Sequence, residues 1–199
     1  TMVEKLNKQG ILPGIKVDKG LKPLSGGLGH ETYCSGLDGL TARAADYYEA
    51  GARFAKWRAV LQITEDGPSD IAIKENAWGL ARYARSVQEA GLVPIIEPEI
   101  LMDGTHDILT TARVQEKVIK EVYYACQVNG VFLEGTLLKP SMTVAGAEAE
   151  LDQQCGPKEV AALTIRTMLR SVPAAVPGIV FLSGGLSEEA ASVYLNEMN

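Results

Sequence analysis

The sequence is poor in the residues that build metal centres and disulfide frameworks. Only three cysteines (Cys34, Cys126, Cys155) and two histidines (His30, His106) occur among its 199 residues. No C-x-x-C pair is present, which excludes a four-cysteine zinc site within the chain, and two histidines exclude a three-histidine catalytic metal site. The odd, sparse cysteine count suits a reducing compartment. No apolar run approaches the about 18 residues of a membrane span, so no membrane partner is expected. Basic residues are outnumbered, 19 Lys and Arg against 25 Asp and Glu, and the net charge of -6 argues against a nucleic-acid footprint over the whole surface. A dinucleotide-binding G-x-G-x-x-G is also missing, because the glycines at 26, 27 and 29 have the wrong spacing. The opening residues TMVEKLNKQG show no signal or transit pattern.

What is present is a recurring alternation of short apolar runs and longer helical patterns. The strand-like runs are Ile15–Asp18, Arg53–Leu61, Leu92–Ile100, Val131–Leu138 and Ile179–Leu182. Helices are predicted over Thr41–Ala50, Ser69–Ala90, Asp107–Val128 and Lys158–Val172, with a last one opening at Ser187. Gly51, Gly91 and Gly130 each stand just past a periodic segment, where a left-handed residue ends a helix. Repeated β-α-β-α order implies an α/β fold with a parallel sheet, either doubly wound or closed as a (β/α)8 barrel. No linker of domain-boundary length interrupts it, so residues 1–199 are read as one domain.

Strands of such a sheet should be almost wholly apolar, yet three of them carry charge pairs: Lys16 with Asp18, Lys56 with Arg58, and Glu97 with Glu99. Spacing of i, i+2 puts both members on one face of a strand. Lys16, Lys56, Glu97, Lys139 and Ser183 recur at steps of 40, 41, 42 and 44 residues, as expected if each βα unit presents a polar group at the same level of a barrel mouth. Pro140 biases Lys139 to extended backbone, which puts it at a strand end. Ser183-Gly184-Gly185 follows an apolar run and precedes a helix, a suitable cradle for phosphate opposite a lysine-rich ring. The glycine-rich stretch Ser25–His30 reads as an ordinary flexible loop.

The stretch Val131–Ser141, VFLEGTLLKPS, closely resembles the active-site segment of class I, Schiff-base fructose-bisphosphate aldolases. GIKVDKG (14–20), GLDGL (36–40), FAKWR (54–58), PIIEPEIL (94–101) and FLSGG (181–185) resemble the same family in the same order, with a lean towards plant-like and algal members. The resemblance implies a (β/α)8 TIM barrel, of which about strands 3 to 7 fall in this chain. It implies that Lys139 forms the Schiff base, that Glu97 is the acid/base beside it, and that Lys56 stabilises developing oxygen charge. It further implies that Lys16 and Arg58 bind substrate towards one phosphate, that Glu99 positions the lysines, and that Ser183, Gly184 and Gly185 cradle the other phosphate. Asp18 is read as structural.

By the same resemblance the substrate is a phosphorylated sugar, fructose 1,6-bisphosphate, cleaved without metal or cofactor. The full-length protein is expected to be a homotetramer of cytoplasm or plastid. The family's first two strands, with a catalytic aspartate, its eighth strand and its C-terminal tail have no counterpart here, so an aldolase fragment is expected. Two alternatives stay open: another Schiff-base sugar-phosphate lyase, and a non-catalytic scaffold that keeps the aldolase-like barrel.

Overall fold

The computed structural model describes residues 1–199. Four parallel strands form one sheet in the order β1 (Gly14–Lys16), β4 (Phe54–Leu61), β5 (Val93–Ile100) and β6 (Leu137–Leu138). Single backbone pairings of Leu138 with Ile179 and of Ser141 with Leu182 add a fifth position beside β6. Spatial order follows chain order without reversal, which is the arc of a (β/α) barrel and not a doubly wound sheet. The arc does not close: β1 and the segment at Ile179–Leu182 are its two edges. An antiparallel hairpin of β2 (Leu21–Pro23) and β3 (Thr32–Cys34) is inserted after β1.

Alternation in FAKWRAVL explains why β4 sits as it does. Ala55, Trp57, Ala59 and Leu61 are buried against the helices, while Phe54, Lys56, Arg58 and Val60 share the opposite, half-buried face. The covering helices start on side-chain caps where the sequence supplies them. Ser69 accepts from the Ala72 N–H at 3.2 Å to open α3 (Asp70–Glu89), and Asp107 accepts from the Thr110 N–H at 2.6 Å to open α4 (Ile108–Val128). Gly91 and Gly130, at φ of 81° and 66°, adopt the left-handed geometry that ends these two helices. Pro157 occupies the first turn of α5 (Pro157–Ser171), and Ser187 caps α6 (Glu188–Glu197). The shorter α1 (Met2–Asn7) and α2 (Leu40–Glu49) complete the set.

The main core lies between the sheet and α2, α3 and α4. At its centre Trp57 stacks on Tyr83 with centroids 5.4 Å apart. The buried Tyr83 hydroxyl shares its one proton between the Ala55 and Ile95 carbonyls, at 2.7 and 3.1 Å, and so ties β4 to β5 just below their charged residues. Tyr83→Phe leaves those carbonyls without that donor. It is expected to lower stability by about 1–3 kcal/mol, read as a lower urea midpoint at unchanged slope.

Four features differ from the sequence reading. Val131–Leu138 is not a strand throughout: Leu133–Gly135 turns as a 3₁₀ segment, and only Leu137–Leu138 joins the sheet. Gln88 holds that turn by bonding both the N–H and the C=O of Phe132. The run Ile179–Leu182 pairs through two residues only. α1 was not anticipated, although Thr1 and Glu4 form a capping box. The stretch Ser25–His30 is the turn of the β2–β3 hairpin, and the hairpin is anchored. Glu31, just beyond that turn, is buried and accepts from the Ser69 N–H (2.7 Å), the Ser69 hydroxyl (2.6 Å) and the Leu28 N–H (2.8 Å).

Burial opposes the charge on Glu31, but these donors outweigh it and hold its pKa below the ordinary glutamate value. A depressed carboxylate pKa adds stability that is present above the unfolded-state value and is lost as pH falls through the folded-state value. Glu31→Gln is therefore expected to flatten that part of the acid limb when urea midpoints are compared between about pH 6 and pH 3.

Candidate active site

Ladder register decides which charges meet. Lys16 pairs with Lys56, Lys56 with Ile95, Arg58 with Glu97, and Ile95 with Leu137. The five positions counted along the sequence therefore do not share one level. Glu97 and Lys139 stand one pleat, roughly 6–7 Å, beyond Lys16 and Lys56 in the strand direction. Even spacing along the chain concealed this stagger, because each step sums strand, helix and loop lengths. The long lysine stem closes the gap: Lys56 Nζ reaches up to lie 2.6 Å from Glu97 Oε2. Lys139 Nζ donates to the other oxygen, Oε1, at 2.7 Å.

One carboxylate, 4% exposed, is thus shared by two ammonium groups that are 23% and 29% exposed for Lys56 and Lys139. Lys139 makes a directional hydrogen bond to it. Lys56 lies off the hydrogen-bonding direction and is held by charge. The near-equal exposures show that Lys139 is no drier than Lys56 in this chain. The two differ instead in how their backbones are fixed. Lys56 sits mid-strand, whereas Lys139 follows a two-residue strand and precedes Pro140, its N–H bonded to the Ile96 carbonyl at 2.7 Å.

Glu99 stands one pleat further along β5, and Arg58, level with Glu97, reaches up to it. Arg58 Nε pairs with the buried Glu99, and this bond raises the guanidinium pKa further, with the Glu97 and Asp18 charges adding to it. Glu99 therefore engages the arginine and touches no lysine. At the β1 edge the exposed Lys16 pairs with Asp18, whose carboxylate also accepts from the N–H groups of Gly20 and Arg58. Burial pushes the Asp18 carboxyl up, but Lys16 and these amides bring it below the usual aspartate range. Asp18 thus links the end of β1 to β4.

Ser183, Gly184 and Gly185 form the turn between the fifth sheet position and α6, one strand over from Lys139. Gly184 and Gly185 take positive φ, 61° and 105°, which L side chains rarely adopt. No hydrogen bond joins any of the three to the charged ring. The cysteines contribute no thiolate at neutral pH: burial lifts Cys34 and Cys126 to about 12 and Cys155 to about 11. No group of three or more His, Cys, Asp and Glu side chains converges on a metal-binding position. One contributor escaped the sequence reading. Gln115 is buried on the apolar stripe of α4 and bonds the backbone just past Lys139. A glutamine in a periodic core position, between Ala112 and Val118, was the signal available.

The sheet order and the site together define a protein of the (β/α)-barrel class, with lysines and carboxylates gathered at the C-terminal ends of its strands. The family model of class-I fructose-bisphosphate aldolase, the glycolytic enzyme, matches residues 1–199. The cytoplasmic fructose-bisphosphate aldolase isozyme 2 of Pisum sativum is 58% identical over 197 residues, 99% of this chain and 54% of its own length. The chloroplastic fructose-bisphosphate aldolase 2 of Arabidopsis thaliana is 57% identical over 198 residues, 100% of this chain and 49% of its own length. A crystal structure of Plasmodium falciparum fructose-bisphosphate aldolase, in complex with TRAP and a small-molecule inhibitor, superposes with a TM-score of 0.96 at 53% identity. It is matched over 99% of this chain and 56% of its own. The chain belongs to the class-I fructose-bisphosphate aldolase family. It spans about half the length of the curated relatives it matches.

Proposed function

We propose that this chain supplies the Schiff-base half of a fructose-bisphosphate aldolase active site, in a protein that reversibly cleaves fructose 1,6-bisphosphate to dihydroxyacetone phosphate and glyceraldehyde 3-phosphate. The observation that carries the reading is the Glu97 carboxylate held between Lys139 and Lys56 at 2.7 and 2.6 Å. In this reading the ammonium of Lys139 hands a proton to the carboxylate it already touches and attacks the ketone carbon as a free amine. Glu97 then returns a proton to the carbinolamine hydroxyl, water leaves, and an iminium remains. The Glu97 carboxylate takes the C4 hydroxyl proton, the bond between C3 and C4 breaks to release the C4 aldehyde, and the iminium accepts the electron pair to become an enamine, so the cleavage needs no metal. Lys56, bound to the same carboxylate, stabilises the oxygen charge that builds during carbinolamine formation and collapse.

Arg58, beside Glu99, and Lys16, at the β1 edge, provide positive charge for one phosphate of an extended bisphosphate. The glycine turn at Ser183–Gly185, across the sheet, provides backbone N–H groups for the other. Two separated anion sites favour a bisphosphate over a substrate with a single phosphate, and so favour this reading over another Schiff-base lyase. An intact lysine–carboxylate–lysine group favours catalysis over a scaffold role. The residues form one part of a single barrel domain, and the compartments in keeping with the relatives are cytosol and plastid. Assembly as a homotetramer in full length belongs to the same proposal.

The reaction and its independence of metal are tested together by assaying the native full-length protein on fructose 1,6-bisphosphate with and without a strong chelator. Equal turnover in both is expected. Loss of activity that zinc restores would overturn the Schiff-base reading.

A further inference from the structure

The backbone just past Lys139 has an unusual problem. Backbone bonding continues past Leu138 as far as Pro140, whose carbonyl accepts from the Leu182 N–H at 3.1 Å, but the carbonyls of Ser141 and Met142, both buried residues, receive no backbone N–H. A buried carbonyl without a partner is costly, and a longer ladder would ordinarily supply one. Here a side chain does so. Gln115, on α4 and 1% exposed, donates from Nε2 to the Ser141 carbonyl at 3.0 Å and to the Met142 carbonyl at 3.3 Å. Its Oε1 accepts from the Thr143 hydroxyl at 2.6 Å. Both amide donors are spent on the segment, and its orientation is fixed by the one hydroxyl facing it.

The bonds around Gln115 extend the hold. Ser141 Oγ donates to the Ile100 carbonyl at 2.9 Å and accepts from the Ile100 N–H at 3.0 Å, which clamps the segment to the end of β5, three residues past Glu97. The Thr143 N–H donates to Thr164 of α5 at 2.9 Å, and Thr111 of α4 donates to the Val144 carbonyl at 2.7 Å. A residue chosen only to fill the core between α4 and the sheet would be apolar, like its stripe neighbours Val118, Ile119 and Val122.

We propose that Gln115 is a positioning residue for Lys139: by holding the Ser141–Thr143 segment where backbone partners run out, it works with the lysine's own N–H bond to Ile96 to set where that backbone stands, and so holds the amine on Glu97. The proposal rests on the reading of Lys139 as the Schiff-base lysine. Gln115 itself touches no substrate and acts through the Ser141–Thr143 backbone and hydroxyl.

The test uses the native full-length protein carrying Gln115→Met, which keeps the length of the side chain and removes its hydrogen bonds. A loss of stability is expected whatever the residue's role, so the readout is the rate of borohydride trapping with dihydroxyacetone phosphate, per folded molecule. That rate and kcat are expected to fall about tenfold to a hundredfold with KM little changed, because small misplacement of a reacting group costs rate more than binding. Val122→Ala, buried on the same helix two turns further on, provides a destabilised control and should leave the rate unchanged. A Gln115→Met rate no lower than that of Val122→Ala would overturn the proposal.

If Gln115→Met does not fold, Thr143 decides. Thr143→Val, which removes the hydroxyl orienting the amide, should slow trapping, and Thr143→Ser, which keeps it, should not. Equal rates for these two would overturn the proposal. Failure of the underlying reading looks different: the adduct would then persist in Lys139→Arg.

Discussion

Lys139→Arg in the native full-length protein is expected to abolish aldol cleavage, by on the order of 10⁵-fold or more, and to abolish borohydride trapping altogether. Arginine keeps the positive charge opposite Glu97 and a stem of similar reach, so the electrostatics of the ring survive. What it loses is the ability to shed a proton and attack, since a guanidinium stays protonated throughout the accessible pH range. Retained charge with lost chemistry separates a nucleophilic role from a structural one. If Lys139 only paired with Glu97, arginine would serve and turnover would fall severalfold at most. The variant should fold, because the side chain is about a third exposed and its one hydrogen-bond partner accepts from either cation.

Lys56→Ala is expected to slow turnover by about 10²- to 10³-fold while leaving any adduct that forms on Lys139. Removing Lys56 strips Glu97 Oε2 of its counter-charge and leaves Oε1 bonded to Lys139. The carboxylate then loses the cation that stabilises oxygen charge beside it, but its contact with the nucleophile stays. Single-turnover kinetics on the purified variant check this, with peptide mapping of the reduced adduct. Turnover close to the wild-type rate would remove Lys56 from the chemistry. Complete loss of trapping would instead make it part of the nucleophile's own activation.

How much of this was legible in the sequence depended on whether a feature is local. The alternation of FAKWRAVL and the capped, glycine-terminated stripes of α3 and α4 are local, and their elements form within a residue or two of the expected limits. The same-face pairing of Lys56 with Arg58 and of Glu97 with Glu99 followed from the pleat alone. The stagger between strands did not, because ladder register is set by partners some forty residues away. For the same reason Ser25–His30 looked like free loop: the tie that fixes its hairpin runs from Glu31 to Ser69. The apolar run VFLEGTLL was too strand-like to betray the turn at Leu133–Gly135, which Gln88 of α3 holds from outside. Gln115 belongs with these, since its partners lie 26 and 27 residues on. Spacing along the chain gathered Lys56, Glu97 and Lys139 at one mouth, and the resemblance added the role of Glu97 beside Lys139.

In the proposed reaction Lys139, and no other lysine, becomes covalent. The most direct measurement is borohydride reduction of the native full-length protein in the presence of dihydroxyacetone phosphate, followed by peptide mass spectrometry of the reduced adduct. A single modified peptide carrying Lys139 is expected. An adduct mapped to Lys56 or Lys16 would contradict it, overturning the assignment of roles while leaving the barrel arc as it stands.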